Sequence, residues 1–173
     1  MQQSTMMQRS EKTHLLALSA VFAALIFLFT AYLFHIPTPF GYTHFGNTLI
    51  FLVGTLLPAP YAFAAAAVGC GLADLLTAPV WVVPTVIIKG CTALMMSNKT
   101  EKIICPRNMV GLALAYTVNV GGYFICTGLM YGSWLFNVAR VFTDLVSPLI
   151  CAFLFLLIGR VMDKTDMKAK FHL

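Results

Sequence analysis

The amino-acid sequence predicts an all-α membrane protein, a single bundle of six transmembrane helices with both termini on the cytoplasmic side. Two observations predict it. Apolar residues make up 60% of the 173-residue chain and charged residues 10%, with a mean hydropathy of +0.86, whereas ordinary soluble domains carry roughly 25% charged residues. The basic residues are also sorted by position. Nine of the eleven Lys and Arg lie in the N-terminal tail (Arg9, Lys12), one central segment (Lys99, Lys102, Arg107) or the C-terminal end (Arg160, Lys164, Lys168, Lys170). Cytoplasmic loops of membrane proteins retain Lys and Arg, so this pattern sets an orientation as well as a location.

Taken in order, the spans fall at about residues 14–34, 45–57, 61–78, 80–97, 108–131 and 134–162. The first begins after a mostly polar segment of thirteen residues, runs far past a signal-peptide apolar region and lacks a small-residue cleavage site after it, so it reads as a retained helix. The second is short. Thirteen residues cover only about 20 Å of a hydrocarbon core near 30 Å, so it is tilted, extended by its flanks or part of a re-entrant hairpin. Pro58-Ala59-Pro60 ends it, because proline removes a backbone donor and disfavours helical geometry in the residue before it. Pro79 and Pro84 bracket the turn between spans three and four, and the charged segment 98–107 separates four from five. The connections expected outside, 36–44, 77–83 and 130–133, contain no Lys or Arg. Six crossings therefore agree with the charge pattern.

Four charges remain at membrane depth: Asp74, Lys89, Arg140 and Asp144. Each costs about 2.5 to 3.5 kcal/mol or more at a helix centre and needs a partner inside the protein. Folding the chain at the Pro79 to Pro84 turn brings Asp74 and Lys89 to similar depth, which predicts an ion pair. Arg140 and Asp144 stand one helical turn apart and can neutralise each other. Glue between helices accounts for Asp74 with Lys89 without a ligand, whereas Arg140 with Asp144 leans toward a place in a site.

Uncharged polar groups converge more selectively. Tyr116, Asn119, Tyr123, Cys126 and Met130 share one face of span five, and Trp134, Asn137, Arg140, Asp144 and Ser147 form a similar stripe on span six. An amide in hydrocarbon needs hydrogen-bonding partners, which makes Asn119 and Asn137 candidates for solute contact. The first outer connection, containing Tyr42, His44 and Asn47, is dense in rings, hydrogen-bonding groups, Pro and Gly. Such a segment can close over a flat polar solute, and Trp81 would add a second wall. Ala17, Ala20 and Ala24, and likewise Ser19 and Ala23, place small residues three and four apart on span one, a spacing that lets another helix approach closely.

Other chemistries find little support. The five cysteines lack CxxC spacing and nearby histidines, which argues against a metal site, and the divided basic residues form no nucleic-acid patch. His44 has no evident Ser or Cys partner for nucleophilic catalysis, so no catalytic residues are assigned and no enzyme is expected. No GxxxxGK[ST] phosphate loop occurs, so any ATP use resides in other chains.

The alanine-spaced first span, the run Ile36-Pro-Thr-Pro-Phe-Gly-Tyr-Thr-His-Phe-Gly-Asn47, then Gly-Leu-Ala-Asp74-Leu-Leu and Val-Pro84-Thr-Val-Ile-Ile-Lys89-Gly together resemble the substrate-binding S components of energy-coupling factor vitamin transporters. The resemblance covers nearly the whole chain. It implies a multi-pass protein of the bacterial plasma membrane that captures a vitamin or precursor from outside. It also implies docking through Ala20 and Ala24 on a transmembrane coupling subunit driven by two cytoplasmic ATPases, with no cofactor in this chain. The branch nearest by motif looks like carriers of hydroxymethylpyrimidine or pyridoxine, whose small rings suit His44, Asn47, Tyr123 and Asn137. Arg140 would instead favour pantothenate or another acid, unless Asp144 cancels its charge. A solitary transporter using Asp74 or Asp144 as a proton relay is the alternative from another class.

Overall fold

Helices are the element available to an apolar chain in a bilayer, because a helix satisfies its own backbone groups. The computed structural model describes the backbone of residues 2–33, 36–38, 41–132 and 134–171, and the side-chain surroundings of residues 9–33, 44–132 and 145–170. It contains α1 (Gln2–Ala31), strands β1 (Ile36–Thr38) and β2 (Gly41–Thr43), α2 (Gly46–Leu56) and α3 (Ala59–Thr77). A 3-10 turn (Pro79–Trp81) then leads into α4 (Val82–Leu94), followed by α5 (Pro106–Tyr131), α6 (Trp134–Lys164) and α7 (Met167–Phe171).

Proline sets three of these starts. Pro60 lies in the first turn of α3, Pro79 in that of the 3-10 turn and Pro106 in that of α5, where a missing N–H leaves nothing unsatisfied and the fixed φ suits a helix. Gly132, with φ of 64°, closes α5 in the left-handed region, and its N–H donates to the Gly128 carbonyl.

Four helical stretches are long and apolar enough to cross a membrane: Arg9–Ala31, Ala59–Thr77, Pro106–Tyr131 and Leu145–Lys164. Two shorter apolar helices, Gly46–Leu56 and Pro79–Leu94, lie where the second and fourth spans were expected. The helices overrun the expected limits where polar sequence continues them: α1 already begins at Gln2, and α6 continues to Lys164.

The short second helix explains the packing. Ten of the eleven residues of α2 are buried, and a helix apolar all round belongs in a core. It packs against α1, α3, α4 and α6. One side joins Phe51, Leu52 and Leu56 to Met96, Ile103, Leu112, Cys151 and Phe155. The other joins Ile50, Val53 and Leu57 to Ile26, Ala62, Ala65, Ala66, Cys70 and Ala93. Eleven residues rise only about 16 Å, and the antiparallel β1–β2 pair, in register Ile36 with Thr43 and Thr38 with Gly41, occupies the chain just before them. That pairing of backbone groups was not foreseen from sequence.

The start of α2 is fixed deep against α6. The Ser147 hydroxyl and the Cys151 thiol both donate to the His44 carbonyl at 3.4 Å, and the Thr48 hydroxyl donates to the Cys151 carbonyl at 3.2 Å. Between α1 and α3 the approach is close. A Cβ on Gly69 would stand 2.6 Å from the Ala23 carbonyl, so only glycine permits this contact.

At the end of the bundle that carries the basic segments, side chains from separate elements pin the connection between α4 and α5. Asn108 is fully buried. It accepts from the Ser97 N–H at 3.0 Å and donates to the Ser97 and Ile103 carbonyls and the Thr100 hydroxyl. The Asp163 carboxylate of α6 accepts from the N–H groups of Ile103 and Ile104 at 2.7 and 2.8 Å, and Lys168 of α7 donates to the Thr100 carbonyl at 2.6 Å.

Candidate functional site

At the opposite end of the bundle, α4 and α5 run antiparallel and meet along two stripes of equal spacing. On the 3-10 turn and α4 the stripe is Trp81, Thr85, Lys89. On α5 it is Asn119, Tyr123, Thr127, Tyr131. Steps of four residues follow one ridge of a helix, so the stripes match rung by rung.

The deepest rung is ionic. Lys89 is 2% exposed, and its ammonium donates to the Asn47 Oδ1 at 2.8 Å and the Asn119 Oδ1 at 2.6 Å. It also lies 4.9 Å from the centroid of the Tyr123 ring, a range in which a cation is attracted to the face of an aromatic. Two amide oxygens and a ring face thus offset part of the cost of burying the charge. The bonds to Lys89 fix the orientation of both amides, since only the oxygens can accept. The Nδ2 groups of Asn47 and Asn119 make no hydrogen bond to the described residues.

The next rung is hydroxylic, with the Thr85 and Tyr123 hydroxyls 2.8 Å apart. This contact holds the ring that covers Lys89. Above it the wall is aromatic: Trp81 lies 5.8 Å from the Tyr123 ring and 6.2 Å from the Tyr131 ring. A donor-rich floor below tilted rings can seat a flat solute that presents acceptors along one edge.

The structure therefore brings together Asn47, Lys89, Asn119, Tyr123 and Trp81, four of them expected as solute contacts and Lys89 as half of an ion pair. Asp74, on α3, is 3% exposed. The His44 Nδ1 accepts from the Gly46 N–H at 3.1 Å, at the first residue of α2. Tyr42 belongs to β2, with its backbone opposite Pro37, and its side chain lies outside the described residues. The side chains of Asn137, Arg140 and Asp144 lie outside them too, and with them the expected Arg140–Asp144 pair.

Thr85, Thr127 and the role of Tyr131 were missed. The repeat of four from Trp81 to Lys89 was available in the sequence, but Pro84 interrupts it and its first member lay in the stretch read as a turn between spans three and four. Among the described residues no group of three or more His, Cys, Asp or Glu converges as a metal site would require. On α1, Ser19 and Ala23 face α3, with the Ser19 hydroxyl donating to the Tyr61 carbonyl at 2.9 Å. Ala17, Ala20 and Ala24 face outward beside Leu16, Val21 and Leu28.

A bundle with four helices long and apolar enough to cross a bilayer is the architecture of a membrane protein. The model of the family described as "ECF-type riboflavin transporter, S component" matches residues 10–164, and the chain belongs to that family. It is thus a transport protein of the membrane, an S component of an energy-coupling factor transporter. A Pyrococcus woesei protein, described as "Uncharacterized protein in gap 3'region", is 33% identical over 114 residues, which are 64% of this chain and 75% of that protein. Membership implies a small-molecule vitamin ligand and work alongside coupling and ATPase subunits, and it is not membership of an enzyme family.

Proposed function

We infer that the chain is the vitamin-capturing subunit of an ATP-driven importer, and that its ligand is a flat heteroaromatic vitamin held edge-on by Lys89, Asn47 and Asn119 under Tyr123, Trp81 and Tyr131. The observation that carries this reading is the buried ammonium flanked by two amides whose Nδ2 donors point to no described partner. A ligand with acceptors along one edge completes those donors. Riboflavin, named in the family description, carries two carbonyls and ring nitrogens on such an edge, so it is placed first. Pyridoxine and hydroxymethylpyrimidine offer fewer acceptors and come next. Pantothenate has no ring to stack and depends on Arg140.

Ligand entry is on the side away from the basic segments, which face the cytoplasm by the retention of Lys and Arg there. The outward stripe Ala17, Ala20 and Ala24 is the docking face for the coupling subunit, supported by its exposure and small side chains. Titration of the purified protein, read as quenching of flavin fluorescence, tests the ligand. Saturable binding that pyridoxine displaces weakly and pantothenate does not displace is the expected result, and saturation by pantothenate alone would overturn it. Ala20→Trp and Ala24→Trp are expected to abolish copurification with the coupling subunit and leave the titration unchanged. Uptake in cells lacking the ATPases would instead indicate a solitary carrier.

A further inference from the structure

Resting on the ligand class inferred above, we propose that the Thr127 hydroxyl is a second polar contact that recognises a hydroxylated chain attached to the ring. Thr127 is 1% exposed, and among the described residues its Oγ1 is the buried side-chain polar atom without a hydrogen-bond partner. An orphaned buried hydroxyl is costly to leave unsatisfied.

Threonines in these helices have a ready local solution. Thr13, Thr77, Thr92, Thr117 and Thr165 each donate to the carbonyl four residues back, at 2.7 to 3.0 Å. Thr127 stands in the same kind of helix and does not. Its neighbours on the ridge identify the space it serves. Tyr123 and Tyr131, one turn to either side, both contact Trp81, so Thr127 lies between the two rings of the aromatic wall.

Eight residues separate Asn119 from Thr127, a rise of about 12 Å. A ligand whose ring edge meets Lys89 and Asn119 can reach Thr127 only with a substituent that extends along α5 past the rings. A chain bearing hydroxyls does so and offers both donors and acceptors, as a threonine hydroxyl can use. A single-ring vitamin is too short to touch both ends. Thr127 thereby selects a long, hydroxylated ligand over a compact one.

The test compares riboflavin with lumiflavin, the same isoalloxazine ring with a methyl group in place of the hydroxylated chain, by fluorescence titration of the full-length wild type, Thr127→Val and Thr127→Ser. Replacing the hydroxyl by a methyl in Thr127→Val is expected to lower the ratio of riboflavin to lumiflavin affinity about 10-fold, and Thr127→Ser to restore it. An unchanged ratio in Thr127→Val, with wild type binding both flavins, overturns the role of Thr127 alone. Failure of the wild type to bind either flavin overturns the ligand class, and this role with it.

Discussion

At the scale of single residues, the molecule treats buried polar groups in two ways. Some are saturated. Asn108 makes four hydrogen bonds at zero exposure and holds the α4–α5 connection in one shape. Asn108→Ala strands several backbone groups and is expected to cost about 2 to 3 kcal/mol, read as a lower melting temperature in detergent with ligand affinity little changed. Lys168 belongs to the same device. Burial lowers its pKa from 10.5, against the opposing pull of Asp163, so between the lowered value and 10.5 the unfolded chain binds more protons than the folded one. Stability therefore gains from this group as pH rises through that window. Lys168→Met is expected to flatten that part of the pH–stability curve, and an unaltered curve would remove Lys168 from the account. Asn47, Asn119 and Thr127 behave in the second way, each keeping a donor that no described residue takes.

At the scale of elements, the two small-residue faces of α1 make opposite predictions. Ala23 faces inward, where Gly69 of α3 fits against its backbone. Gly69→Val must push the helices apart and is expected to cost about 3 kcal/mol, measured as loss of thermal stability together with ligand binding. Bulk at Ala20 should leave both intact, because that position faces outward. The small-residue spacing on α1 was legible in the sequence, but which alanines face in was not, since Ala20, Ala23 and Ala24 satisfy the same spacing. The second helix shows a similar boundary. Its shortness was evident from the distance to Pro58, whereas its burial on nearly every side depends on α1, α3, α4 and α6 converging on it. The site divides in the same manner. Asn47, Asn119, Tyr123 and Trp81 stood out as polar or aromatic groups in apolar sequence. Thr85 and Thr127 resembled ordinary helical threonines until the antiparallel pairing of α4 with α5 set them among those residues.

At the scale of the whole molecule, one end collects the basic residues and ties them to the α4–α5 connection, and the other holds the niche. This polarity is what the proposed role requires, with ligand capture at one face of the membrane and coupling to the ATPases at the other. The central claim is that the Lys89 ammonium organises the niche. Replacing it with Met keeps the length of the side chain and removes the charge that holds the Asn47 and Asn119 amides. The most direct measurement is the riboflavin titration of purified Lys89→Met beside the wild type, with a melting curve on each to check folding. The expected result is a 10- to 100-fold loss of affinity, as for a charge-assisted hydrogen bond of about 1.5 to 3 kcal/mol, in a protein that still melts cooperatively. Wild-type affinity in a folded Lys89→Met protein would contradict the account.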